Sequence, residues 1–164
     1  MILTHLVSFT VVVVTQLVFF VVHAFSVGEQ KNLIKYLGLG MLVGLPFGVV
    51  FDLVVGHYLG VFTYELGFVW WFLVINGIFS YGFMMANVFL LHGHSALHMY
   101  GWSAGLAAVY EVTNYFLPVW EWTFLSSNTL EILTVVLAAY FGLAWIMMLV
   151  LRFLFGTKFK IVPF

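Results

Sequence analysis

Five stretches of this chain are each long and apolar enough to cross a lipid bilayer, which leaves few folds open to it. A helix rises about 1.5 Å per residue, so about 20 apolar residues cover the hydrocarbon core. The stretches are residues 2–25, 37–58, 68–91, 100–117 and 130–151. They are apolar on every face and do not alternate, which excludes a membrane β-barrel. The expectation is an all-α, polytopic transmembrane helix bundle of five spans, in one domain covering residues 1–164. Only 7% of the residues are charged, against about 25% in an ordinary soluble domain. A soluble chain this short must expose much of its surface, so it could not hide such an excess of apolar residues. The first stretch is expected to be a span, although Ala24-Phe25-Ser26 faintly resembles a signal-peptide cleavage site. No Lys or Arg precedes it, and its apolar run exceeds the usual h-region of about 7–15 residues.

The formal net charge is −1, so no basic field exists to attract nucleic acid, and the lipid bilayer is the expected partner. The chain has no cysteine, which excludes disulfides, thiolate nucleophiles and iron–sulfur sites. In a five-span layout Lys31, Lys35, Arg152, Lys158 and Lys160 share one side. The positive-inside rule then puts the N-terminus outside and the C-terminus in the cytoplasm of a cell (plasma) membrane. The loop His92-Gly93-His94-Ser95 becomes cytoplasmic, and Glu65, Glu121 and Ser126 external. Trp70, Trp71, Trp120 and Trp122 fall near the outer headgroup layer, which suits amphipathic rings.

Polar and small residues mark the inward faces. His5, Ser8, Gln16 and His23 share one face of the first span, and Asn76, Ser80 and Asn87 one face of the third. Polar side chains avoid lipid, so both stripes should face the interior. Span two carries Gly40, Gly44, Gly48, Asp52 and Gly56 at a four-residue spacing. That ridge lets another backbone approach closely, or forms a groove for a flat or elongated ligand. In span five, Thr134, Ala138, Gly142 and Trp145 form one face, expected to pack inward.

Asp52 and Glu111 are the most informative residues. Carboxylates inside a span cost about 2.5–3.5 kcal/mol at its centre, and no Lys or Arg lies in any span to pair with them. Asn114, one turn after Glu111, and the polar stripes are candidate partners. The two acids also belong to an approximate repeat, 59 residues apart. Asp52 is followed by Phe62-Thr63-Tyr64, and Glu111 by Trp120-Glu121-Trp122, each an aromatic-x-aromatic exit. Even-numbered spans run the same way, so this would be a parallel two-helix repeat with both acids at similar depth. Two nearby acids without a cation can share a proton, an arrangement suited to proton donation and removal on an apolar substrate.

The run Val50-Phe51-Asp52-Leu53-Val54-Val55-Gly56, continuing through Leu59-Gly60-Val61-Phe62-Thr63-Tyr64, resembles a motif of the small-subunit, heterodimeric-type lycopene cyclases. Chain size, hydrophobicity and the weak repeat are similar too. The family's further acidic motif, Pro-x-Glu-Glu or Pro-x-Glu-Asp, has no carboxylate counterpart in Ile75-Asn76-Gly77-Ile78-Phe79-Ser80. The resemblance implies cofactor-independent cyclisation of the ends of a linear carotenoid or similar isoprenoid. On that reading Asp52 and Glu111 are the catalytic acid–base pair. Asn76, Asn114, Tyr64, Trp120 and Trp122 would then line the substrate site, with aromatic faces stabilising a carbocation.

Other readings stay open. His92, His94 and His98 carry imidazoles, but no carboxylate or thiolate lies nearby to complete a ligand set, and we expect no metal there. A non-enzymatic membrane subunit, or a small proton-coupled transporter component using the two acids, is compatible with the same residues. So is a homo- or hetero-oligomer. Phosphate-binding, nucleophile-elbow and His-Glu-x-x-His motifs are absent from the sequence.

Overall fold

A computed structural model of the chain describes residues 2–123 and 129–156. Helix α1 spans Ile2–Ser26. After a short turn, α2 runs over Leu33–Phe51 and continues without a break into a π-helical segment, Asp52–Tyr58. Strand β1 is Phe62–Tyr64. Helix α3 is assembled from Trp70–Asn76, a π-helical turn at Gly77–Tyr81, and Gly82–Leu90. Helix α4 covers Ala96–Phe116, β2 Trp120–Trp122, and α5 Thr129–Phe155. Backbone groups in lipid must be satisfied within the chain, and helices do this residue by residue.

Among the described residues, four helices are long and apolar enough to cross a membrane: His5–Ser26, Gln30–Tyr58, Trp70–Leu90 and Thr134–Phe155. Helix α4, the fourth expected span, has the length but is less apolar, because it carries His98, Ser103, Glu111 and Asn114. It also begins four residues before the expected boundary. The Ser95 side chain caps it, accepting a hydrogen bond from the His98 amide at 3.2 Å.

Helix α3 is the centre of the bundle. Every residue of Gly82–Leu90 is buried, with α2 on one side and α1 and α5 on others. The glycine ridge of α2 makes this possible. A Cβ at Gly44 would lie 2.5 Å from the backbone of Gly82, and one at Gly40 2.5 Å from the Gly82 carbonyl. Between lipid-soluble helices such close van der Waals packing is the main attraction. The ridge is therefore filled by α3 and offers no groove to a ligand. Asp52, on the same ridge, is carried to the α2–α3 contact. The outer stripe of α1, Val7, Val11, Val14, Val18 and Val22, is exposed, as a lipid-facing surface would be.

One expectation fails here. Thr134, Ala138, Gly142 and Trp145 of α5 face outward. The inward face carries Val136, Tyr140, Ala144, Met147 and Leu151, because this side of α5 must fill space beside α3 and α4, and large side chains do so. The chain is mostly helical, as expected, with one short sheet at an end of the bundle. Strands β1 and β2 pair antiparallel, with Phe62 opposite Trp122, Thr63 opposite Glu121 and Tyr64 opposite Trp120. Gly60, with φ of +64°, turns the chain from α2 toward β1.

Candidate functional site

Asp52 is fully buried and accepts three hydrogen bonds from neutral donors. Tyr81 Oη lies 2.5 Å and Tyr64 Oη 2.9 Å from Oδ1, and Asn76 Nδ2 lies 3.0 Å from Oδ2. Asn76 Nδ2 also reaches Tyr64 Oη at 2.8 Å. An ionised carboxylate only accepts, so two phenols and an amide can offset its desolvation without a cation. Local backbone supplies the geometry. Asp52 opens the π-helical segment of α2, and Tyr81 closes the π-helical turn of α3. Such turns rotate side chains out of α-helical register and recur at functional sites.

Glu111 of α4 is partly buried. Both its oxygens lie 3.3 Å from Trp122 Nε1, and Oε1 accepts from Tyr140 Oη at 3.1 Å. Each acid therefore bonds the last aromatic residue of its own exit strand, Tyr64 for Asp52 and Trp122 for Glu111. The spacing is twelve residues in one case and eleven in the other. A π-helical turn accommodates one extra residue relative to an α-helix, and only the Asp52 copy has one after its acid.

The partners of both acids line one cavity of about 120 Å³. Tyr64, Asn76 and Tyr81 come from the Asp52 side, and Trp122 and Tyr140 from the Glu111 side. Phe51, Phe62, Tyr110 and Trp120 add further aromatic faces, and aliphatic side chains such as Val55, Val61, Met84 and Leu143 fill the rest of the wall. Phe62 and Trp122 meet edge to face at 6.0 Å, and Tyr110 and Tyr140 at 5.8 Å. The carboxylates are not part of the lining; they stand behind the phenols and the indole.

Of the residues singled out from sequence, Tyr64, Asn76, Trp120 and Trp122 line the cavity. Asn114 does not. Its side chain ties down the entry to β2, donating to the Trp120 carbonyl at 2.8 Å and accepting from the Val119 and Trp120 amides. It is thus no partner of Glu111, because the chain reversal after α4 claims its amide. Trp120 and Trp122 are drawn inward, whereas Trp70 and Trp71 are exposed. Tyr81 and Tyr140, each a direct donor to an acid, were not anticipated. A tyrosine inside a span is a weak signal on its own.

At the opposite end of the bundle α1 and α4 meet through histidines. His23 Nε2 lies 3.5 Å from His98 Nε2, and the His94 ring stacks on His98 at 4.7 Å. His23 was expected to face inward and does, whereas His5 sits 4.0 Å from Glu65 at the other end. Among the described residues no group of three or more His, Asp or Glu side chains has the arrangement of a metal site.

Compared with known proteins, the chain matches no family model, no curated protein and no solved structure.

Proposed function

We propose that this protein is a five-span membrane protein that uses Asp52 and Glu111 for proton transfer on an apolar, isoprenoid-like ligand. The observation that carries this reading is the shared aromatic cavity, walled by hydrogen-bonding partners of both acids. A lycopene cyclase-like reaction would protonate a terminal alkene, close a ring on the resulting carbocation, and remove a proton to leave a new double bond. The proton gained and the proton lost balance, so no cofactor is needed. Aromatic faces stabilise cations, and a water-poor cavity protects them from quenching. The volume suits the end of a long isoprenoid and not its whole length. Tyr64, Tyr81 and Tyr140 line the cavity and donate to the acids, so the acids would act through these phenol hydroxyls.

The layout supports placing the N-terminus outside and the C-terminus in the cytoplasm. Lys31 and Arg152 belong to the end of the bundle that holds the histidine loop, while Lys158 and Lys160 lie outside the described residues. The similar settings of Asp52 and Glu111 also favour a duplicated two-helix unit, since antiparallel exit strands are what a two-fold axis along the membrane normal would produce.

A second reading has its own support. Aromatic walls backed by two acids, with Lys31, Lys35 and Arg152 near the other end of the helices, also fit an organic cation, as a proton-coupled carrier would need. Expression in lycopene-accumulating cells, with partner subunits, separates the two. Cyclic carotenes formed by the wild type and lost in Asp52→Asn and Glu111→Gln support the cyclase-like reading. Proton-coupled uptake of a cation with unchanged carotenoid would replace it with the carrier.

A further inference from the structure

We infer that the aromatic cavity opens sideways into the bilayer between α2 and α5, where one end of a linear hydrocarbon without a headgroup enters while the rest of the chain stays in lipid. The choice of ligand rests on the apolar-ligand reading above; the opening rests on packing alone. The other sides of the cavity are closed. Helix α3 packs on α2 and on α5, and α5 packs on α4. Tyr110 ties α4 to α3, its hydroxyl donating to the Ser80 carbonyl at 3.3 Å. The paired strands β1 and β2 close the end nearest the acids, with Phe62 and Trp122 in the wall. Toward the histidine end, Phe89 of α3 fills the gap. It stacks on Tyr36 of α2 at 6.1 Å and meets Phe155 of α5 edge to face at 5.5 Å. Among the described residues, α2 and α5 both line the cavity yet do not pack on each other.

Exposure of the wall gives the same direction independently. The helical wall residues of α3 and α4, Asn76, Ser80, Tyr81, Met84 and Tyr110, are buried. The half-buried ones are Phe51 and Val55 of α2 and Ala139 and Leu143 of α5. A pocket buried at the back and exposed along two facing helices has its mouth between them. Surface beside the mouth is apolar, with Val50 and Val54 of α2 and Ile146 of α5 exposed. Phe51 lies seven residues before Tyr58, the end of the α2 segment, or ~10 Å along the helix axis. The mouth therefore sits within a hydrocarbon core about 30 Å thick.

Position and size together define the occupant. The cavity of about 120 Å³ takes the end of a long chain, so the remainder must lie where hydrocarbon dissolves, and lipid at the mouth provides this. A phospholipid acyl chain is tethered at its headgroup and would have to turn sideways within its upper methylenes. A hydrocarbon without a headgroup is free at any depth. Charged solutes do not reach a mouth in hydrocarbon, because desolvation costs too much.

Photolabelling of the full chain in phosphatidylcholine nanodiscs tests this, using squalene that carries a diazirine at one end. Labels on Trp120, Trp122 and Tyr140 are expected, reduced at least tenfold by excess unmodified squalene. Ala139→Trp narrows the gap and should lower this competable label at least fivefold. Ala138→Trp, on the exposed side of α5, should leave it unchanged. With the diazirine at mid-chain, competable labels are expected on α2 and α5 near Phe51, Val55 and Leu143, a result that decides even if Ala139→Trp fails to fold. The proposal is overturned by a wild-type cavity without competable label, or by mid-chain labels competed on α1 instead. Undiminished label in a folded Ala139→Trp protein would also overturn it. So would equal cavity labelling by phosphatidylcholine carrying the diazirine at its acyl end. Competable label without any cyclic product would remove the cyclase-like chemistry and leave the opening; cyclic product with label indifferent to Ala139→Trp would do the reverse.

Discussion

Tyr64 Oη donates to Asp52 Oδ1 at 2.9 Å across the reversal that joins α2 to β1. The same strand residue pairs with Trp120, and Trp122, two residues further on, stands in the corresponding relation to Glu111. The two acids are thus linked through a short sheet and an aromatic wall, with no direct contact needed. Displacement of either strand would disturb both.

The donors around Asp52 make a specific demand on its chemistry. Asp52→Asn replaces one accepting oxygen with an NH2 group, which must face Asn76 Nδ2 or a phenol. The expected cost is about 1–3 kcal/mol, the usual consequence of a buried polar group left mispaired. Adding Asn76→Asp returns an acceptor to the cluster and should recover at least half of the lost Tm, without restoring any proton-transfer activity. Thermal melts of the two single variants and the double variant check this. Equal Tm for Asp52→Asn and the wild type would show that these bonds do not hold the helices together.

Close packing of α2 on α3 predicts a contrast between glycines. Gly44→Ala places a methyl 2.5 Å from Gly82, and overpacking of this kind costs about 1–3 kcal/mol. Gly142→Ala meets nothing within 4 Å and should leave Tm unchanged. Similar melting of the two variants would contradict the α2–α3 contact.

The sheet can be tested by cross-linking, helped by the absence of native cysteine. Thr63 and Glu121 are exposed and directly opposite each other, within the Cα separation of about 4.4–6.8 Å that a disulfide spans. The Thr63→Cys/Glu121→Cys protein should oxidise readily to a faster-migrating band on non-reducing gels. The pairing is wrong if only intermolecular dimers form.

Membrane topology follows from which turns share an end. Single cysteines replacing Lys31 and Ser95 should be labelled from the cytoplasmic side, and one replacing Glu65 from outside. Labelling of positions 31 and 95 from opposite sides would rule out five spans. Positions 126 and 158, expected to be external and cytoplasmic, lie outside the described residues.

Much of the architecture is legible in the sequence because lipid imposes a local rule. A segment either is long and apolar or does not cross, and polar residues turn away from lipid whatever their neighbours are. Residue order alone therefore identified the long helices, the buried stripes through Ser8, Gln16 and His23 and through Asn76, Ser80 and Asn87, and the burial of Asp52. It also showed that each acid is followed by an aromatic exit.

Tertiary structure decided which inward faces meet. Helical periodicity reports the angle at which a residue projects, not the helix waiting there. Tyr81 reaches Asp52 from 29 residues away, Tyr140 reaches Glu111 from 29, and His98 reaches His23 from 75. The outward turn of Ala138 and Gly142 reflects the same limit: small residues permit close packing, but neighbouring volume determines which face of α5 is used. The strand pairing and the π-helical turns beside Asp52 likewise depend on the exits meeting in space. Local pattern sets burial, while distant partners set the chemistry of the site.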